Sequence, residues 1–327
     1  MYKLVKSALI TKGAKMFTIL DSEANTIYRF SNDYMEILNN PNMLTLKEAY
    51  TYYNNSGDEN YIDFLVFLND RDLLFESEID NYLDLSTEFD YPAHITNAYL
   101  EFNPGKLMKY VDLFYQLNTL FCYNINIVSK MEISQEVLSN FLEICNLNIF
   151  HSVEVTMPFS PEHEYYSLLS ICNKYSFLNS ITLYSASVNE IFKTEKGCNI
   201  IYLRQSLADE ACGKIGAHYF ALNLKHYTES IHFNTCLNRK ISIDFDFNIK
   251  NCIYLDEIYG NALTDSLKDI VSRSEFTFLW GISKNLIEVC KDCEFRHVCT
   301  DCRRFIKDRN NIYSKPQKCT YNPYLGD

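Results

Sequence analysis

The residues able to do chemistry crowd into the last third of the chain. Cys290-Lys-Asp-Cys293-Glu-Phe-Arg-His-Val-Cys299-Thr-Asp-Cys302 puts four thiols within thirteen residues, and Cys319 follows after a gap of sixteen. Cys236 and Cys252 stand upstream with fifteen residues between them. Thiolates so spaced suit a soft metal ion or an iron–sulfur cluster, because a CxxC knuckle turns two sulfurs of one short loop toward a common centre. Zinc is the plainer alternative, although a four-cysteine ribbon usually joins its two knuckles by a loop longer than five residues. One zinc ion would also leave Cys236, Cys252 and Cys319 without a role. At this stage iron–sulfur, zinc and a metal-free fold all stay open.

Other reactive groups point nowhere in particular. The seven histidines (His94, His151, His163, His218, His226, His232 and His297) adjoin no recognisable nucleophile motif. His218 and His232 lie near an expected hairpin and could touch a cluster or a substrate, a solvated or core role being the ordinary reading. Asp244-Phe-Asp246 reads as turn chemistry. No catalytic residue can be named, and no Gly-rich loop could cradle a phosphate.

Composition narrows the class. With 327 residues the chain can hold two or three domains, and 47% apolar with 22% charged residues is ordinary for a globular protein. A net charge of −12 argues against a nucleic-acid partner. Lys291, Arg296, Arg303, Arg304, Lys307 and Arg309 nevertheless gather near the cysteines. They read either as solvated surface or as compensation for a negative thiolate site. No window reaches the ~18–20 apolar residues of a membrane span, and the N-terminus lacks a signal-peptide pattern. The expectation is a cytoplasmic protein, no membrane, and twelve cysteines kept for metal or redox work rather than disulfides.

The elements that must position these thiols fall into three stretches, giving an α/β reading. Residues 1–78 read as a winged-helix-like unit. Lys15–Leu20 and Thr26–Phe30 are strands about the turn Asp21–Asn25, and Asp33–Leu38 is a short helix. Asn40-Pro41 breaks the chain, and Thr45–Glu48 is a capping box for a second helix that Asn54–Gly57 ends. A third helix is striped by Tyr61, Ile62, Leu65 and Leu68, and Asp72–Phe75 is a returning strand. Residues 79–205 open on an acidic linker (79–92) and then alternate. The strands are Ile95–Phe102, Phe121–Val128, Val153–Met157, Ile181–Tyr184 and Asn199–Leu203. Between them come a helix striped by Leu107, Tyr110, Val111, Phe114 and Leu117, one capped by Ser134, and one opened by Ser160-Pro161. Such alternation means a parallel sheet, here an incomplete β/α barrel of four or five strands. Residues 206–327 hold a hairpin, Lys240–Asp244 with Asn248–Cys252, and the cysteines.

Two resemblances follow from these patterns. The order hairpin, three helices, strand resembles the peptide-recognition element of enzymes that modify ribosomally made peptides; its relatives bind a leader peptide as an added strand beside the third helix. A structural cap without a ligand is the alternative. The spacing from Cys236 to Cys319 resembles the SPASM domain of radical S-adenosylmethionine peptide maturases. It departs at Phe247, which occupies a glycine slot, and at the Cys299–Cys302 gap, one residue short. That resemblance implies two auxiliary 4Fe–4S clusters, one on Cys290, Cys293, Cys299 and Cys319, the other on Cys236, Cys252 and Cys302. Cys212 is the candidate for the missing ligand, with Cys198 behind it. Cys122, Cys145 and Cys172 read as core thiols.

The radical-generating CxxxCxxC occurs nowhere, and the first barrel strand runs into Asn103-Pro-Gly-Lys106. The chain therefore resembles the SPASM protein of grasp-with-spasm systems, a degenerate radical core beside an intact cluster domain. The resemblance implies an accessory protein of peptide maturation whose partners are a precursor leader and an ATP-grasp ligase. A redox enzyme with an open-site cluster, or a zinc-stabilised interaction protein, are the other readings.

Overall fold

The computed structural model describes residues 2–39, 51, 59–76, 86–207 and 212–326. The helix expected from Thr45, the break at Asn40-Pro41, the Asn54–Gly57 stop and much of the acidic linker lie outside the described residues. The chain groups into two compact units, each assembled from separated segments: Met1–Phe89, Gly213–Thr235 and Ile282–Asp327 form one, Asp90–Cys212 and Cys236–Gly281 the other.

The first unit joins both ends of the chain. Strands β1 (Tyr2–Leu4), β2 (Ala8–Lys12), β3 (Met16–Asp21) and β4 (Thr26–Ser31) lead into a 3-10 turn (Asn32–Tyr34) and helix α1 (Met35–Asn39). Helix α2 (Glu59–Asn69) and strand β5 (Leu74–Glu76) follow. The β3–β4 turn closes because Asp21 Oδ1 accepts from the amides of Glu23 and Ala24, each at 3.0 Å, while Asn25 takes a left-handed φ of 51°. β2, β3 and β4 form an antiparallel sheet in that order. β5 does not return to it. It pairs with β1, Leu4 opposite Leu74, because β1 offers an edge that was not read as a strand.

β3 is buried along almost its whole length, without the alternation of a one-sided strand. The reason is a second covering layer. Phe17 and Ile19 face α2 through Phe64, Leu65 and Leu68, whereas Leu20 joins Leu9, Val298 and Tyr227 of helix α6 (Leu224–His232). The sheet is thus clamped between its own helix and the cysteine-rich segment.

The second unit is a mixed α/β layer. Its strands are β6 (Asn97–Glu101), β7 (Asn124–Val128), β8 (Ser152–Pro158), β9 (Leu178–Tyr184), β10 (Glu190–Lys193), β11 (Asn199–Leu203), β12 (Lys240–Ile243), β13 (Asn248–Lys250) and β14 (Gly260–Asn261). They form one sheet in the order β10-β11-β9-β8-β7-β6-β12-β13-β14. Six neighbours run parallel, from β11 to β12, and both ends carry antiparallel strands. Among the described residues the sheet ends in two edges, so it does not close. The sixth parallel strand is β12, expected as half of a separate hairpin; it does pair with β13, but also lies parallel to β6.

Helices α3 (Lys109–Thr119), α4 (Gln135–Asn146) and α5 (Tyr165–Lys174) cover the apolar face through a core that includes Ala98, Leu100, Ile125, Ile127, Val153 and Val155. Tyr110, Leu113, Phe114 and Leu117 are the buried stripe of α3; Val111, expected on it, is 41% exposed. Phe102 meets Phe141 edge-on at 4.8 Å and Tyr110 at 5.4 Å, contacts that add about 0.5–1.5 kcal/mol each to simple burial. Ser134 caps α4 as expected, accepting from the Val137 amide. Ser160 does not cap α5. The helix starts at Tyr165, and the Ser160 hydroxyl instead meets His163 Nδ1 at 3.2 Å. Short helices α7 (Leu267–Val271) and α8 (Ser274–Thr277) complete the unit. Among the described residues no helix is long and apolar enough to cross a membrane.

Candidate metal centre

In the first unit the knuckle begins at Val289, whose φ of 66° reverses the chain into a single 3-10 turn, Cys290–Asp292. Such a turn stacks residues i and i+3, which brings Cys293 over Cys290; the Cys293 amide donates to the Cys290 carbonyl at 3.0 Å. Cys290 and Cys299 are buried, Cys293 and Cys319 half-buried. The four act on one another electrostatically: Cys290 feels Cys319, Cys293 feels Cys299 and Cys290, and Cys299 feels Cys290 and Cys319. Burial pushes the Cys293 thiol up to about 12 and Cys299 up to about 11. A site this dry holds thiolates only against a positive charge.

That charge is present in Lys284 and Arg303, both nearly inaccessible. Burial alone would push the Lys284 ammonium down, but Asp301, with Cys299 and Cys290, outweighs it and holds the ammonium above its ordinary value. Asp301 is the hub. Lys284 Nζ stands 3.5 Å from Asp301 Oδ1, Arg303 Nη2 donates to Oδ1 at 2.7 Å, and Asn234 Nδ2 donates to Oδ2 at 2.7 Å. Arg303 Nη1 further donates to the carbonyls of Ile312 (2.7 Å) and Ser314 (3.1 Å), pinning the loop that leads to Cys319.

The knuckle is also tied to the N-terminal sheet. Glu294 carries a fully buried carboxylate that accepts from Arg29 Nε at 2.8 Å and from the Tyr321 hydroxyl at 2.5 Å. Thr18 Oγ1 donates to the Glu294 carbonyl at 2.8 Å, and the Ala14 amide to the Asp292 carbonyl at 2.8 Å. Gly13 is required here: a Cβ on it would stand 2.7 Å from Glu294 N and 2.9 Å from Met16 O.

Cys302, in the same unit, accepts from the Phe305 amide at 3.4 Å. Its sulfur stands 3.0 Å from where Gly213, at φ 70°, would carry a Cβ. In the second unit Cys212, Cys236 and Cys252 line a single cavity of about 380 Å³ on the polar face of the sheet, with Tyr99, Tyr254 and the hydrogen-bonded pair Asn126–Glu154. Burial pushes the Tyr99 phenol up, and Tyr254, Glu101, Cys252 and Cys212 add to it. Cys198 is not among these residues; its sulfur lies 2.7 Å from that of Cys172 in the core. Cys122, Cys145 and Cys172 are core thiols. His218 is exposed, and His232 meets Phe233 edge-on.

Among the described residues no group of three or more His, Cys, Asp or Glu side chains is arranged to hold a metal ion. A single tetrahedral zinc with sulfurs at ≈ 2.3 Å would draw them to ~3.8 Å of one another. A four-iron cluster takes each thiolate on a different iron and spaces them more widely. An all-sulfur donor set beside buried cations suits either centre.

No protein-family profile matches the chain, and no curated protein matches it. Among solved structures it overlaps Streptococcus suis SuiB bound to S-adenosylmethionine, at 9% identity and a TM-score of 0.41, over 93% of this chain and 96% of that one. A second SuiB structure overlaps at 9% identity and a TM-score of 0.31, over 98% and 100%. Both overlaps lie below the level at which a common fold is assigned.

The Phe247 departure has a geometric answer. Phe247 adopts φ 68°, the left-handed turn that a glycine would take, and stays there because its ring is buried 5.2 Å from Tyr110. Lys284, Asp301 and the Arg29–Glu294–Tyr321 set were not picked out from sequence. Only Asp301, inside the second CxxC, carried a local signal.

Proposed function

We propose that this chain is an accessory protein in the maturation of a ribosomally made peptide, binding the precursor's leader and assisting an ATP-grasp ligase that supplies the phosphoryl chemistry. One observation carries the reading: the cysteine knuckle and the N-terminal sheet form one compact unit, joined through Glu294 to Arg29 and Thr18. Among the described residues β4 has no strand on its outer edge. It packs on α2 through Phe30–Phe64 (4.8 Å) and Tyr28–Phe67 (5.2 Å), with Arg71 over the Phe67 ring. A leader peptide adding as a strand would find main-chain partners on β4 and aromatic contacts on α2. Cys290, Cys293, Cys299 and Cys319 would hold one 4Fe–4S cluster, a centre that fixes the fold of the knuckle when bound. The test is calorimetry of the full chain with a precursor leader peptide and with an ATP-grasp ligase from the same organism. Saturable binding to the leader, lost on Tyr28→Ala, supports the reading; no interaction with either removes it.

A second reading, a redox enzyme with an open-site cluster, is favoured by the room beside Cys212, Cys236 and Cys252. Anaerobic spectroscopy of the iron-loaded protein separates the two: a cluster signal that moves on adding peptide supports the enzyme, and an unmoved signal rejects it.

A further inference from the structure

The second unit carries another cavity, of about 230 Å³, that the thiol chemistry does not use. It lies where β8, β9 and β11 end. Open α/β sheets bind ligands at the carboxyl ends of their strands. Four aromatic rings wall it: Phe159, just past β8; Tyr165, opening α5; Phe192, on β10; and Tyr202, near the end of β11. Phe192 stands 4.8 Å from Tyr165 and meets Tyr202 at 6.1 Å and 86°, while Phe159 meets Tyr202 at 6.1 Å and 63°. The rings therefore present faces and edges at several inclinations rather than one stacked pile.

Two carboxylates, Glu164 and Glu190, line the same cavity, and both residues are exposed. Glu164 occupies the N-cap position of α5, yet its side chain makes no capping bond. Neither carboxylate forms an ion pair among the described residues. Arg204, two residues beyond Tyr202, donates from Nε to the Ser187 carbonyl at 2.7 Å instead. Aromatic faces attract cations through the ring quadrupole, and a carboxylate at the rim adds Coulomb attraction in a partly desolvated place. The volume is below the roughly 300 Å³ at which drug-sized pockets begin, and suits a single side-chain head.

We infer that this aromatic box binds an alkylammonium group, such as a lysine side chain or a methylated form of it. The inference is independent of the peptide-maturation reading. The box selects for positive charge on a compact apolar head: the rings take the methylene or methyl surface, and Glu164 and Glu190 face the charge. An acetylated amine of similar size keeps the apolar contact and loses the attraction.

The test is saturation-transfer NMR on the full chain with three probes: Nα-acetyl-lysine methylamide, its Nε-trimethyl form and its Nε-acetyl form. Dipeptide amides lacking lysine distinguish a free chain N-terminus from a side chain as the source of the ammonium. Saturable binding of the two cationic lysine probes is expected, with the Nε-acetyl probe weaker by on the order of ten-fold. Phe192→Leu and Glu164→Gln/Glu190→Gln should each weaken the cationic probes several-fold. Both carboxylates are exposed, so the double variant tests charge should the ring variant unfold. Equal binding of the acetylated probe, no saturable binding of either cation, or unchanged affinity in a folded Glu164→Gln/Glu190→Gln protein would overturn the inference.

Discussion

The two units treat their thiols in opposite ways. Around Cys290, Cys293, Cys299 and Cys319 the protein is closed: two of the sulfurs are buried, two cations are sealed in beside them, and Asp301 ties those cations to the loop. Around Cys212, Cys236 and Cys252 it is open, with all three half-exposed and facing a cavity that also admits Tyr99 and Glu154. Metal sites that hold a fold together are saturated by protein, while those that meet substrate keep room. On the reading proposed above, the first set has a stabilising task and the second stands beside a cavity where another molecule could enter.

The strongest way to break that contrast is to remove one thiol from each set. Metal binding at a closed site is folding free energy. In anaerobically prepared protein, Cys290→Ser should lower the melting temperature by on the order of 10 °C, whereas Cys252→Ser should lower it by only a few degrees. Differential scanning calorimetry with iron counted per chain reads both. Equal shifts would erase the distinction between a closed and an open set.

The next effect concerns the tie between the knuckle and the sheet. Arg29→Met strands the buried Glu294 carboxylate with Tyr321 as its remaining side-chain partner. Losing one partner of a fully buried pair costs ~3–5 kcal/mol. Arg29 itself keeps 27% of its side chain exposed, so screening reduces the expected loss to on the order of 2 kcal/mol. Arg29→Met/Glu294→Gln should recover part of it, since the stranded charge is gone. Urea unfolding of the three proteins checks this, and strictly additive losses would deny the coupling.

Phe247 sharpens the comparison from the second unit, where conformational strain and burial oppose each other. A non-glycine residue at its φ costs ~1–2 kcal/mol, while burying a Phe ring returns ~1.5–3 kcal/mol before its contact with Tyr110 is counted. Cavity formation adds to the loss when the ring is removed. Phe247→Gly, although it restores the residue usual in such turns, should therefore destabilise by ~1–2 kcal/mol, measured by chemical denaturation. A stabilised variant would mean that the strain outweighs the ring.

How much of this could be read along the chain depended on the range of each interaction. The β3–β4 hairpin was legible because Asp21 and Asn25 act on their immediate neighbours, and the CxxC knuckle because one turn sets it. α4 was legible from Ser134 for the same reason. β12 was half legible: its hairpin partner β13 is local, but its parallel partner β6 is not. Ser242, the middle one of its three consecutive buried residues, is polar, so no continuous apolar run marked it as a central strand. Ser160-Pro161 looked like a helix start, and the short-range bond to His163 won. Lys284 sits in Ser-Lys-Asn with no pattern around it; only tertiary packing makes it a buried countercharge. The all-sulfur donor set was visible, and so was Arg303 among the basic residues read as charge compensation; Lys284 and Asp301 were not.

The smallest expected effect is the pH dependence that His163 contributes in the second unit. His163 is fully buried, and burial pushes its imidazole below the ordinary value, outweighing the Ile133 backbone bond and the charges of Glu162 and Glu132. A depressed folded value means that the unfolded chain binds the proton first. The contribution is therefore complete above the unfolded value of ~6.5 and is lost progressively as pH falls toward the folded value, by no more than ~1.4 kcal/mol per pH unit. Between pH 7 and 5.5 stability should fall, within that limit, in urea unfolding followed through Trp280, which lies in this unit. His163→Gln removes the titrating group and should flatten that slope, even if its stability at pH 7 is lower. A slope unchanged in His163→Gln would assign the dependence to other groups.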